Sequence, residues 1–199
     1  MSAPAALVMA KIIYPETERP DTFGKIELPH NKKSENAMDA LGQGATDGLK
    51  LAANVGAMLI AFVSIITMTN YIMIYLFSFS MQEIMGVIFQ PLAWSMGVPW
   101  NEAHFLGTLM GEKIVLTELI AYSNLSDLIM NDQISERTAI IASYALCGFS
   151  NFGSIGIQLG GIGGMAPNRR RDLSTIALRA MIGGALASWL TATIAGLLL

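Results

Sequence analysis

A chain of 199 residues that is 53% hydrophobic and only 14% charged, with a mean hydropathy of +0.50, is far from the roughly 25% charged composition of soluble domains. The net charge of -3 says nothing useful about partners, no basic aromatic patch points to nucleic acid, and a single cysteine, Cys147, excludes a disulfide framework. No charge occurs over 51–82, 84–100, 138–168 or 180–199, and each of these gaps is a candidate membrane segment. The chain therefore reads as an all-α, polytopic membrane protein.

The opening "MSAPAALVMAKIIYP" carries no basic residue ahead of its apolar run, and Lys11 follows it, which is the wrong order for a signal peptide. Residues 1–13 read as the tail of a transmembrane helix that begins earlier, so the chain is expected to be a fragment. The polar, proline-containing stretch 14–35 is a solvent loop. Segment 36–82 combines an interfacial helix, to about Asp47, with a long transmembrane helix. Segment 83–100 is apolar but interrupted by Pro91 and Gly97; with Trp94 and Trp100 it is expected to lie along the interface. In 101–131 the apolar pieces are each too short to cross, which predicts a re-entrant hairpin.

Segment 135–166 is long enough to span, yet it is rich in glycine and places Asn151 and Ser154 near its middle. Lipid offers such groups no water, so a discontinuous helix that lines protein or a watery cavity is expected. Residues 171–199 form the last transmembrane helix. Lys11, Arg19, Lys25, Lys32, Lys33 and Arg169 to Arg171 fall on one face, against Arg137 and the hairpin's Lys113 on the other. The positive-inside rule makes the first face, with loop 14–35, cytoplasmic, so the C-terminus and the mouth of the hairpin are outside.

Ionisable and amide groups at membrane depth mark functional sites by default. Glu118 is the foremost of these; its bland alternatives are an ion pair with Lys113 at the hairpin tip or, for Glu112, a place in interfacial water. Asn151 and Ser154 are expected at a binding site, whereas Gly156, Gly160 and Gly164, four residues apart, match a helix-contact pattern. "GSIGIQLGGIGG" is no phosphate loop, since no strand precedes it and no lysine follows in place. His30 and His104 are far apart and form no metal site. Asn54 and Asn70 could bond across helices, without chemistry of their own.

At these residues the chain becomes recognisable. "GATDGLKLAANVGAMLIAF", "PLAWSMGVPW", "GEKIVLTELIAY" and "YALCGFSNFGSIGIQLGGIGGMAP" together resemble the C-terminal half of the concentrative nucleoside transporters. The likeness runs from the first residues to the last. It implies half of an inverted-repeat, trimeric symporter in the inner or plasma membrane, coupled to Na+ or H+ and using no organic cofactor. It also implies that the ribose is bound between a hairpin and an unwound helix. By motif, Glu118 would accept ribose hydroxyls, Asn151 and Ser154 would bond the sugar, and Phe149 would pack at the unwound turn. The long helix from about Leu49 would belong to the scaffold that forms the trimer. Where the family's hairpin reads Asn-Glu-Phe, this chain has Thr117, Glu118 and Leu119, so Thr117 joins the candidate site and sugar preference is open. The base-reading hairpin and most ligands of the coupling ion would lie in the half not contained here.

Two rivals follow from the same residues. A membrane-embedded enzyme using Glu118 as acid or base lacks a neighbouring nucleophile or metal cluster. A related gate-type membrane module would keep the architecture without carrying nucleosides.

Overall fold

The computed structural model describes residues 2–17, 24 and 36–199. Most of the loop expected over 14–35 lies outside them, with Arg19, Lys25, His30, Lys32 and Lys33. Among the described residues there are eight α-helices, one 3-10 turn and no strand. They are α1 (Ser2–Ile13), α2 (Ala37–Phe77), α3 (Met81–Ser95), α4 (Trp100–Val115), α5 (Glu118–Met130), α6 (Glu136–Leu146), α7 (Phe152–Met165), the turn Pro167–Arg169 and α8 (Arg170–Leu198).

Two helices, Ala37–Phe77 and the run Pro167–Leu198, are long and apolar enough to cross a membrane. The interfacial helix expected up to Asp47 is not a separate element. One helix runs unbroken for 41 residues from Asn36, whose side chain accepts from the Asp39 amide, to Ser78, which ends it in the left-handed region at φ 59°. Its glycines at 42, 44 and 48 lower helix propensity, but no proline interrupts the hydrogen-bond ladder. Pro91 likewise fails to break α3, which continues through it to Ser95. The stretch 135–166 is two helices, of 11 and 14 residues, separated by 147–151.

Small residues set the packing. A Cβ at Gly107 of α4 would lie 2.5 Å from the Gly86 carbonyl oxygen of α3, so these two helices cross in backbone contact. Gly156 and Gly160 of α7 rest in the same way on α2, at Met58 and Asn54, which is the helix-contact use expected of them. Asn70 does bond between elements: its side-chain oxygen accepts from the Met81 amide at the start of α3. The buried core lies among α4, α5, α6 and α8, around Leu106, Met110, Ile141, Leu146 and Trp189. Its α6–α8 side ends at Arg137, which donates to the carbonyls of Gly97 and Gly196.

Candidate functional site

The site forms where two helix pairs are each interrupted. Between α4 and α5 only Leu116 and Thr117 are non-helical, so Glu118 is the first residue of α5. A carboxylate there meets the free amides and positive pole of a helix N-terminus. Between α6 and α7 the chain leaves helical geometry at Cys147 and turns at Gly148, whose φ of +111° an L side chain rarely adopts. It re-enters a helix after Asn151. Two helices thus end and two begin within this region.

Asn151 joins the two interruptions. Its Nδ2 donates to Glu118 Oε2 at 3.0 Å, while its Oδ1 accepts from the Ser154 amide at 2.7 Å. Ser154 completes a capping box: its hydroxyl accepts from the Asn151 amide at 3.2 Å and donates back to the Asn151 carbonyl. Both side chains are buried and Glu118 is half-buried. A capping box at the head of α7 explains why this sequence restarts a helix directly after a glycine break.

Of the residues expected at the site, Glu118 and Asn151 are therefore in direct contact, with Ser154 behind them. The Ser154 hydroxyl is engaged as both donor and acceptor with backbone, so its geometry is that of a helix cap. Thr117 stands at the N-cap of α5, but its side chain makes no capping hydrogen bond, leaving the hydroxyl open to another partner. Phe149 does not pack into the turn as expected. It is 73% exposed, projecting from the break two residues before Asn151.

The Lys113–Glu118 ion pair considered for the hairpin tip is not present. Among the described residues the ion pairs are Lys11–Glu16 and Arg169–Asp172. Lys113 is instead turned inward, fully buried, with its ammonium on the carbonyl of Ala145 at 2.9 Å and the hydroxyl of Ser188 at 2.9 Å. Tyr122 of α5 ties the hairpin to α6 by donating to the Ser143 carbonyl at 2.7 Å. Neither arrangement was legible in the sequence, because a backbone carbonyl as partner leaves no residue-type signature. Glu112 accepts from Asn124 across the α4–α5 pair at 2.8 Å. It lines a cavity of about 350 Å³ that excludes Glu118 and Asn151 and includes His104 and Asp127. Among the described residues no cluster of three or more His, Cys, Asp or Glu could hold a metal.

A carboxylate beside an amide, at the mouth of two helix N-termini, suits a neutral polyhydroxylated ligand. Such a carboxylate can accept hydrogen bonds from hydroxyls, the amide has a second hydrogen free to donate, and the helix ends offset the anion. Independently of that geometry, the chain matches known proteins. A family model described as "Na+ dependent nucleoside transporter C-terminus" matches residues 1–196. The chain is 44% identical, over 99% of its own length and 50% of the other, to the uncharacterized transporter YutK of Bacillus subtilis. It is 39% identical to solute carrier family 28 member 3 of Mus musculus, with all of this chain covering 31% of that one. An outward-facing structure of a doubly substituted CNTnw superposes with a TM-score of 0.86 at 40% identity, over 98% of this chain and 48% of that one. The chain thus spans half or less of the length of these relatives. It belongs to the concentrative nucleoside transporter family and corresponds to that family's C-terminal domain.

Proposed function

We propose that this chain forms the ribose-binding part of an ion-coupled nucleoside symporter of the inner or plasma membrane, assembled as a homotrimer. The observation that carries the reading is the Asn151–Glu118 hydrogen bond, which brings a carboxylate and an amide together at two interrupted helices. In this reading α4 and α5 form a re-entrant hairpin, and α6 and α7 are the halves of one discontinuous span. The paired helix ends help to keep an anion stable at membrane depth.

Glu118 accepts from vicinal ribose hydroxyls, Asn151 donates its remaining amide hydrogen, and Thr117 offers its unengaged hydroxyl. Phe149, exposed in the break, covers the apolar face of the bound nucleoside. Ser154 acts one step behind, by holding Asn151 in place. The base and the coupling cation, Na+ or H+, are held mainly by residues outside this domain, so the 199 residues alone bind nucleoside weakly and do not transport it.

The test pairs this chain with the N-terminal half of a family member and measures binding of uridine and its deoxy analogues. Glu118→Gln keeps the shape of the side chain and removes its charge. Hydrogen bonds to charged groups are worth roughly 1.5–3 kcal/mol, against roughly 1 for neutral ones. Uridine affinity should therefore fall by about ten- to a hundred-fold, at about 1.4 kcal/mol per decade. Deoxyuridines, which already lack one such bond, should lose less. Equal losses for uridine and both deoxy analogues would leave Glu118 as a structural residue and the ribose assignment wrong.

A further inference from the structure

Lys113 is the only charged side chain among the buried described residues, and no carboxylate pairs with it. Its three N–H donors meet three oxygens: the carbonyls of Ala145 at 2.9 Å and Cys147 at 3.4 Å, and the hydroxyl of Ser188 at 2.9 Å. Ser188 donates its own proton to the Ala185 carbonyl, so it presents lone pairs to the ammonium. Ala145 and Cys147 lie at the C-terminal end of α6, where the helix stops and carbonyls lose their intrahelical partners. That end is also the negative pole of the helix. A compact ammonium suits this three-oxygen cage better than a planar guanidinium would.

The same lysine links both halves of the candidate site, one through the chain and one through its head group. Its own helix, α4, carries Glu118 across the two-residue joint at Leu116 and Thr117. Its head group holds Cys147, which leads through Gly148 to Asn151. Ser188 adds α8 as a third fixed point. We propose that Lys113 is a positioning residue whose ammonium serves as a resident cation, anchoring the end of α6 and thereby setting the separation of Glu118 and Asn151. The consequence for ligand affinity rests on the nucleoside reading given above; the anchoring of the break does not.

Cys147 is the sole cysteine and is exposed, so it reports on the break without any added label site. Three variants are compared with the wild type: Lys113→Met, which keeps length but not charge; Ser188→Ala, which removes one acceptor; and the double substitution. The rate of maleimide labelling at Cys147 is measured on the 199-residue chain in membranes. Uridine affinity is measured with the chain paired with a family N-terminal half. Lys113→Met should speed labelling and weaken uridine binding, each by about tenfold or more, the scale expected for losing charge-assisted hydrogen bonds.

Ser188→Ala should move both readouts in the same direction by less, and the double variant should match Lys113→Met, since both act through one cage. A lysine needed only for folding would lower thermal stability while leaving both readouts of the folded fraction at wild-type values, and that result overturns the proposal. Faster labelling with unchanged uridine affinity overturns it as well. If the wild type binds no uridine, the nucleoside reading fails, and an unchanged Cys147 rate then overturns the anchoring. Should Lys113→Met not accumulate, Ser188→Ala, which keeps the charge, carries the same test.

Discussion

Gly107→Ala adds one methyl group where α3 and α4 cross, and the structure fixes what it meets. The new Cβ would lie 2.5 Å from the Gly86 carbonyl oxygen and 3.0 Å from the Gln90 nitrogen, both backbone atoms that no rotamer change can move aside. Restoring ordinary contact requires α4 to retreat by roughly 0.9 Å along a close-packed interface. Overpacking of this kind costs roughly 1–3 kcal/mol, and the rigidity of the opposing atoms places it near the upper end. Alanine recovers about 1 kcal/mol over glycine in a helix interior, so the net loss is about 2 kcal/mol.

Gly42→Ala is the internal control, because nothing lies within 4 Å of its would-be Cβ. It should be neutral or stabilising. The assay is thermal unfolding in detergent followed by tryptophan fluorescence. Trp94 and Trp100 flank the α3–α4 turn in edge-to-face contact, with ring centroids 6.2 Å apart, and their separation reports directly on that crossing. Gly107→Ala should melt several degrees below wild type and Gly42→Ala at or above it. Equal melting temperatures for the two variants would mean that α3 and α4 do not cross in backbone contact.

Other parts of the chain carry expectations of their own. In a Cys147→Ser background, cysteines at Asp132 and Arg170 should label from opposite sides of the membrane; labelling from one side would show that α6 and α7 do not together cross it. Purified alone in proteoliposomes, the 199 residues should show no gradient-driven uridine accumulation, and accumulation would refute the division of the site. The Glu83 carboxyl is held below the usual carboxylate range by the Ser80 backbone N–H and then by the Ser80 side chain, against a smaller effect of burial. A lowered folded-state pKa gives stability that is present above the ordinary carboxylate value and lost as pH falls through the folded one. Amide-exchange protection at the start of α3 should therefore weaken on acidification in wild type, and a Glu83→Gln variant retaining that dependence would assign it elsewhere.

The membrane class and the positions of the helix interruptions at the candidate site were legible because they depend on residue type. Uncharged gaps mark apolar helices, and an acid or amide placed within them needs a reason. Residues 147–151 fall where glycine and asparagine interrupt the apolar run, and Glu118 stands at the α4–α5 joint. Continuity was harder to read. Pro91 and the glycines near the start of α2 are helix breakers by propensity, yet an otherwise intact hydrogen-bond ladder carries both helices past them. The roles within the site were hardest, since they depend on side chains meeting backbone. Ser154 spends its hydroxyl on a cap, Phe149 points outward, and Lys113 looks past the acid five residues on to reach the end of a helix that follows it in the chain.

The length of α2 ties this domain to the thickness of the bilayer around it. From Leu51 to Phe77 the helix carries no charge, and these 27 residues extend about 40 Å. A hydrocarbon core of about 30 Å is shorter than that stretch, so the helix leans from the membrane normal or thickens the bilayer around it. A thicker bilayer would let it stand more upright. Met58 and Asn54, the seats of Gly156 and Gly160, lie on this stretch. Lipid that changed the tilt would therefore carry α7 with it, and with α7 the amide of Asn151 against Glu118.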